Sequence, residues 1–238
     1  MNQPKVFTNI KRLNVFDLDG TVINSFHRVA PHLDKETGNL DLQGYIANAC
    51  THELVQADTL LPLAAVMKEN ISGNDTHNII VTARTMYKTD YYYLRKQGLL
   101  TNKPQAARVM SRTNLQRHFP LDEVQGIYRS RDAEYKRKYF ELLQRQYPNA
   151  TITVYDDHDG VLNVAREMGF QVVDAKLAND VLDTGYRMAG EQFIDQVMDE
   201  LHDPEALAQH IETAWCSYTQ EERDYLSSKF NNLVAIRA

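Results

Sequence analysis

Asp17 and Asp19 stand two residues apart in Leu13-Asn14-Val15-Phe16-Asp17-Leu18-Asp19-Gly20-Thr21, an apolar run that ends in carboxylates and a Gly-Thr turn. On an extended backbone this spacing puts both carboxylates on one face, where they can share a cation. Gly20 lets the chain turn sharply, so that turn amides and Thr21 can meet an anion. A second acidic pair, Asp156-Asp157, follows the apolar run 151–155. Asp156, with Asp17 and the backbone carbonyl of Asp19, offers the oxygen ligation that Mg2+ demands, while Asp157 could act through water. A third run, Ile79-Ile80-Val81-Thr82-Ala83-Arg84, ends in a hydroxyl able to bond a phosphoryl oxygen and an arginine able to neutralise developing charge. Strand propensity alone also accounts for a threonine there.

Short β-branched runs must carry these groups. Strands are expected at 13–16, 78–82, 107–111, 151–155 and 171–173, and helices around 62–69, 90–97, 133–146 and 161–168. Such alternation implies a mainly parallel α/β sheet whose ligands lie beyond the carboxyl ends of the strands. Residues 24–58 form an insertion after the first strand, and no strand signal follows about residue 176.

The D-x-D-G-T run resembles motif I of the haloacid dehalogenase-like (HAD) phosphohydrolases, which implies Asp17 as nucleophile and Asp19 as general acid/base. Thr82 and Arg84 resemble motif II. Asp132-Ala133-Glu134-Tyr135-Lys136 resembles motif III in the D-x-x-x-K form found in the phosphatase domain of phage polynucleotide kinases, and Asp156-Asp157 with the segment 161–170 resembles motif IV. The resemblance makes Lys136 the cation that balances crowded negative charge. Lys138 competes with it, because two residues rotate a helical side chain by about 200° and sequence alone leaves the phase open. The implied fold is a Rossmann-like HAD core over residues 1–175, with a small cap at 24–58 and a helical extension over 176–238. Asp58-Thr59-Leu60-Leu61-Pro62-Leu63-Ala64 and Met110-Ser111-Arg112 also resemble phage deoxynucleoside 5'-monophosphatases. The implied activity is a Mg2+-dependent phosphomonoesterase acting on nucleoside 5'-monophosphates through an aspartyl phosphate. One alternative is a polynucleotide 3'-phosphatase acting on nucleic-acid 3' ends. Another is an inactive HAD-fold binding protein, disfavoured because every expected catalytic residue is present.

Composition narrows the substrate. The net charge is −6, yet residues 84–145 hold 14 Lys/Arg against six Asp/Glu. That segment is expected either to face phosphate or to form a solvated surface, whereas overall acidity disfavours long polyanions. Arg112 is a candidate second anionic contact, as are Arg129 and Arg131. His27 and Arg28 could meet the distal part of a substrate or belong to a first helix. Tyr91, Tyr92 and Tyr93 could stack on a base, with at least one in the core. Cys50 and Cys216 lack metal-ligand spacing, and the start of the sequence shows neither a signal peptide nor a membrane span. A cytoplasmic protein is expected, in the host cytoplasm if phage-encoded. Helical spacing around Phe193, Val197 and Leu201 suggests an extension that packs on the core or pairs two copies as a homodimer.

Overall fold

The computed structural model describes residues 5–69, 75–100 and 107–189. The first element is β1 (Arg12–Phe16), followed by β2 (Ile23–Asn24), α1 (Phe26–Val29), α2 (Leu42–Asn48), α3 (His52–Gln56), β3 (Thr59–Leu60), α4 (Leu63–Glu69) and β4 (Thr76–Val81). The chain continues through α5 (Lys88–Lys96), β5 (Ala107–Met110), α6 (Leu121–Arg129), α7 (Asp132–Gln146), β6 (Thr151–Asp156), α8 (Asp159–Glu167), β7 (Gln171–Asp174) and α9 (Ala175–Ala189). The helices expected around 193–226 lie outside the described residues. Among the described residues, no helix is long and apolar enough to cross a membrane.

Five strands form one parallel sheet in the order β5-β4-β1-β6-β7. Helices cover both faces, which explains why the inner strands are apolar on both sides. Side-chain alternation divides each strand between two cores. Leu13, Val15, Ile79, Val81, Ile152 and Val154 face the layer containing α7 and α8, while Phe16, Ile80 and Tyr155 face α4, α5 and α9. Phe16 and Tyr155 are register partners whose rings stack with centroids 4.4 Å apart. Polar side chains fix the neighbouring register as well. Asn14 and Asn78 pair across β1 and β4 at 3.1 Å, and the Asn78 amide donates to the Met67 carbonyl, so this buried pair is satisfied. Ala175, Ala178, Val181 and Leu182 bring the start of α9 into the same core.

The insertion rises on a two-strand stem, with Ile23 opposite Leu60 and Asn24 opposite Thr59 in antiparallel pairing. Its short helices are held by side-chain caps, Asp41 accepting from the Gly44 amide and Thr51 from the Leu54 amide. Asn179 ties this stem to α9, accepting from the Leu63 amide at 2.9 Å and donating to the Thr21 carbonyl at 2.9 Å.

Candidate active site

Parallel strands β1, β6 and β4 end side by side, so the residues that follow them converge. Asp17 extends the β1 ladder by donating its amide to the Tyr155 carbonyl at 2.9 Å. Asp156 terminates β6, and Asp157 follows it. One carboxylate oxygen from each of Asp17, Asp156 and Asp157 lies within 4.8 Å of the others. Lys136 is the cation among them, with Nζ 2.9 Å from Asp17 Oδ1 and 2.6 Å from Asp156 Oδ2. The phase of α7 places it there. Tyr135, Tyr139, Phe140 and Leu143 bury one face of that helix against the sheet and Lys136 is buried with them, while Lys138 points out toward Glu141.

Charge in this cluster is unbalanced. Burial raises the pKa of Asp17, the charges of Asp156 and Asp19 raise it further, and Lys136 only partly opposes them. Burial followed by Asp156 raises Asp157 in the same way. For Lys136, burial works against its charge, yet Asp17 and Asp156 more than offset that and hold the ammonium protonated. Three carboxylates therefore face one lysine, an all-oxygen donor set with excess negative charge that suits a hard divalent cation.

The turn after β1 is tightly constrained. Gly20 has φ +75°, and a Cβ there would lie 2.5 Å from Asp157 Oδ2, so both conformation and space require glycine. The anion-facing role expected of Gly20 and Thr21 does not match their bonding. The Gly20 amide donates to the Ile23 carbonyl and the Thr21 amide to Leu18, and the Thr21 side chain is fully buried. Among the described residues the amides of Leu18 and Asp19 donate no backbone hydrogen bond, and Leu18 is buried.

Thr82 follows β4, is buried, and accepts from the Arg84 amide at 3.1 Å. Arg84 reaches Asp19 through Nε at 2.9 Å and also through Nη2, while its Nη1 lies 2.9 Å from Asp90 Oδ1. Ser25 donates to the same Asp19 carboxylate. Burial pushes Asp19 up, but the charge and hydrogen bonds of Arg84, with help from Ser25, outweigh it and hold the carboxyl below its ordinary range.

Other candidates are committed elsewhere. Arg112 spends its guanidinium on the carbonyls of Ala83, Tyr128 and Ser130 and on Asp132, and lies over Tyr135 with its Cζ 4.4 Å from the ring centroid. It clamps the end of α6 to the start of α7 and is not part of the carboxylate cluster. His27 is exposed and bonds the Leu54 carbonyl, whereas Arg28 is buried on Asp58 and is not presented to a substrate. Tyr93 is core and donates to the Asp58 carbonyl, Tyr91 packs against the core, and Tyr92 is exposed beside His52. Some basic residues of 84–145 are paired inside the chain, among them Arg84, Arg112, Lys136 and Arg137. Ser25, Asp58 and Asp90 were missed by sequence reasoning. Only Asp90 carried a local signal, as an acidic residue in the first turn of α5.

Comparison with known proteins adds independent findings. A family model described as Bacteriophage T5 5'-deoxynucleotidase matches residues 1–237. The chain is 48% identical over 228 residues to the 5'-deoxynucleotidase of Escherichia phage T5, covering 94% of this chain and 93% of that protein. Among solved structures, a hydrolase from Streptococcus pneumoniae TIGR4 gives a TM-score of 0.42 at 14% identity, over 73% of this chain and 98% of that one. A haloacid dehalogenase-like family hydrolase from Streptococcus pneumoniae gives 0.42 at 13% identity, over 68% and 83%.

Proposed function

The chain belongs to the Bacteriophage T5 5'-deoxynucleotidase family, and on that premise we propose that it hydrolyses deoxynucleoside 5'-monophosphates through an aspartyl phosphate on Asp17. The observation that carries this reading is the position of Lys136, buried between Asp17 and Asp156 at the ends of adjacent strands. An ammonium there neutralises a carboxylate nucleophile and an incoming phosphate together.

In the first step an Asp17 oxygen attacks phosphorus and the phosphorus–O5' bond breaks, while Asp19, which Arg84 holds ionised in the free chain, takes up the proton of the substrate's phosphate monoanion and passes it to the departing alkoxide. In the second, Asp19 takes a proton from water as the water oxygen attacks phosphorus. The bond to Asp17 then breaks, releasing phosphate and restoring the carboxylate. Lys136, the Thr82 hydroxyl and the Asp19 amide face the phosphoryl oxygens, while Arg84, engaged by Asp19 and Asp90, holds the acid/base in place. Asp17, Asp156 and Asp157 would hold a Mg2+ ion, which when bound supplies further positive charge against the phosphoryl group. A protein of the host cytoplasm fits a nucleotide substrate.

Phosphate release from the four deoxynucleoside 5'-monophosphates, measured beside a 3'-phosphorylated oligonucleotide, tests this function. The nucleotides are expected to be cleaved with little salt dependence. Preferential cleavage of the oligonucleotide, with affinity falling steeply as salt rises, would replace this reading with a polynucleotide 3'-phosphatase.

A further inference from the structure

Behind Arg84 lies a second pair of charges that the chemistry above does not use. Arg28, on α1 of the insertion, is 1% exposed and Asp58 is 5% exposed. They meet in a fork, Arg28 Nε to Asp58 Oδ1 at 2.7 Å and Nη2 to Oδ2 at 2.6 Å. A third Arg28 donor, Nη1, reaches the Ala49 carbonyl after α2 at 3.2 Å. Asp58 Oδ2 also lies 3.7 Å from Arg84 Nη1, and Tyr93 anchors the Asp58 backbone by donating to its carbonyl at 2.8 Å. Charges thus alternate from the insertion to the acid/base: Arg28, Asp58, Arg84, Asp19.

Burying two full charges is expensive, and a hydrocarbon pair of similar volume commonly serves stability equally well. What hydrocarbon lacks is the power to aim a neighbouring guanidinium. Arg84 meets Asp19 through Nε and Nη2, so the plane of its fork sets where the Asp19 oxygens point. Its remaining arm, Nη1, is what Asp58 and Asp90 hold from behind.

We propose that Arg28 and Asp58 are positioning residues: through Arg84 they orient the Asp19 carboxyl toward the leaving oxygen, and they tie that orientation to the seating of the insertion. The proposal rests on the acid/base role of Asp19 given above. Protonation by Asp19 matters for a nucleoside alkoxide, which leaves poorly, and matters little for p-nitrophenolate, which leaves as a stable anion. In the release of the first product, before hydrolysis of the aspartyl phosphate that both substrates share, a fault in orientation should therefore depend on the leaving group, whereas a fault in folding should not.

The test replaces both charges at once, Arg28→Met with Asp58→Leu, so that no orphaned charge is left to unfold the chain. Arg28→Gln with Asp58→Asn, which removes both charges and keeps hydrogen-bonding groups at both positions, serves as the milder variant. With matched folded fractions from thermal melts, both variants are expected to slow the single-turnover release of deoxynucleoside from its 5'-monophosphate, the first variant by about tenfold or more. Substrate affinity should change little, and the single-turnover release of p-nitrophenol from p-nitrophenyl phosphate should stay within about twofold. In an Arg84→Ala background the same replacements should cost almost nothing further, because they act through Arg84. Equal losses on both substrates, or full additivity with Arg84→Ala, overturn the proposal. Parent activity on nucleotides checks the reading beneath it: its absence overturns both, whereas equal losses in an active parent overturn this proposal alone.

Discussion

Lys136 and Asp17 meet at 2.9 Å although 118 intervening residues separate them in the chain, one supplied by a helix face and the other by the end of the central strand. Among the described residues the lysine is anchored by carboxylates alone, Asp156 being its second partner. Carboxylate and ammonium are thus held by separate elements, and each can be removed without dismantling the backbone that carries the other.

Asp17→Asn keeps the shape of the side chain but cannot form an acyl phosphate. Turnover should fall by on the order of 10³-fold or more. The melting temperature should hold or rise, because a buried carboxylate that burial already disfavours is replaced by a neutral amide. Near-parental turnover would reject Asp17 as the nucleophile.

Lys136→Ala should remove about 3 kcal/mol of transition-state stabilisation. It should also lower the melting temperature, since Asp17 and Asp156 lose their shared cation. Lys138→Ala, which gives up only an exposed partner 3.6 Å away on its own helix, should stay within a few-fold of the parent. Paired kinetics and melts on the two variants decide between them.

A divalent cation should be needed for activity. EDTA is expected to abolish phosphate release and Mg2+ to restore it, while Ca2+, with longer bonds and looser geometry, should not. Mg2+ should also raise the melting temperature by relieving repulsion among Asp17, Asp156 and Asp157. Undiminished turnover in EDTA would show that these carboxylates work without a cation.

His118 should make the fold acid-sensitive. Burial, reinforced by Arg108 and Arg117, lowers its pKa to about 4. Between that value and the ordinary histidine pKa of about 6.5, the unfolded chain binds a proton that the folded chain refuses. Stability contributed by neutral His118 is complete above pH ~6.5 and is lost as pH falls toward 4, by up to about 1.4 kcal/mol per pH unit. Denaturant melts across this range should show a shallower acid-side loss in His118→Phe than in the parent, and identical slopes would refute the assignment.

Residues at strand ends were the most legible part of the molecule. An apolar run of four to six residues that stops at Asp17, Thr82 or Asp156 announces both a strand and the edge where its sheet presents ligands. Helix phase was less legible. Lys136 and Lys138 differ only in which of them shares a face with Tyr139, Phe140 and Leu143, and packing decides that. Contacts formed across long separations left no local trace: Arg28 gives no hint of Asp58, and the bonding of Arg112 to Tyr128 and Ser130 depends on how two helices are joined. Net charge along the basic stretch likewise does not reveal which of its cations are paired, as Arg112 is with Asp132 and Arg137 with Glu167. The short helices of the insertion escaped notice because side-chain caps hold them and they span too few turns to show a period, whereas α6 is amphipathic and was legible but unread.

The strand order has a consequence for synthesis. β1 is made early, yet its two neighbours are β4 and β6, so its middle place in the sheet stays half unfilled until residue 156 has left the ribosome. Until then Asp17 has neither Lys136 beside it nor Asp156 across from it. The nascent chain consequently has no partial activity to express, and the nucleotide pool meets this catalyst only when nearly the whole sheet closes at once.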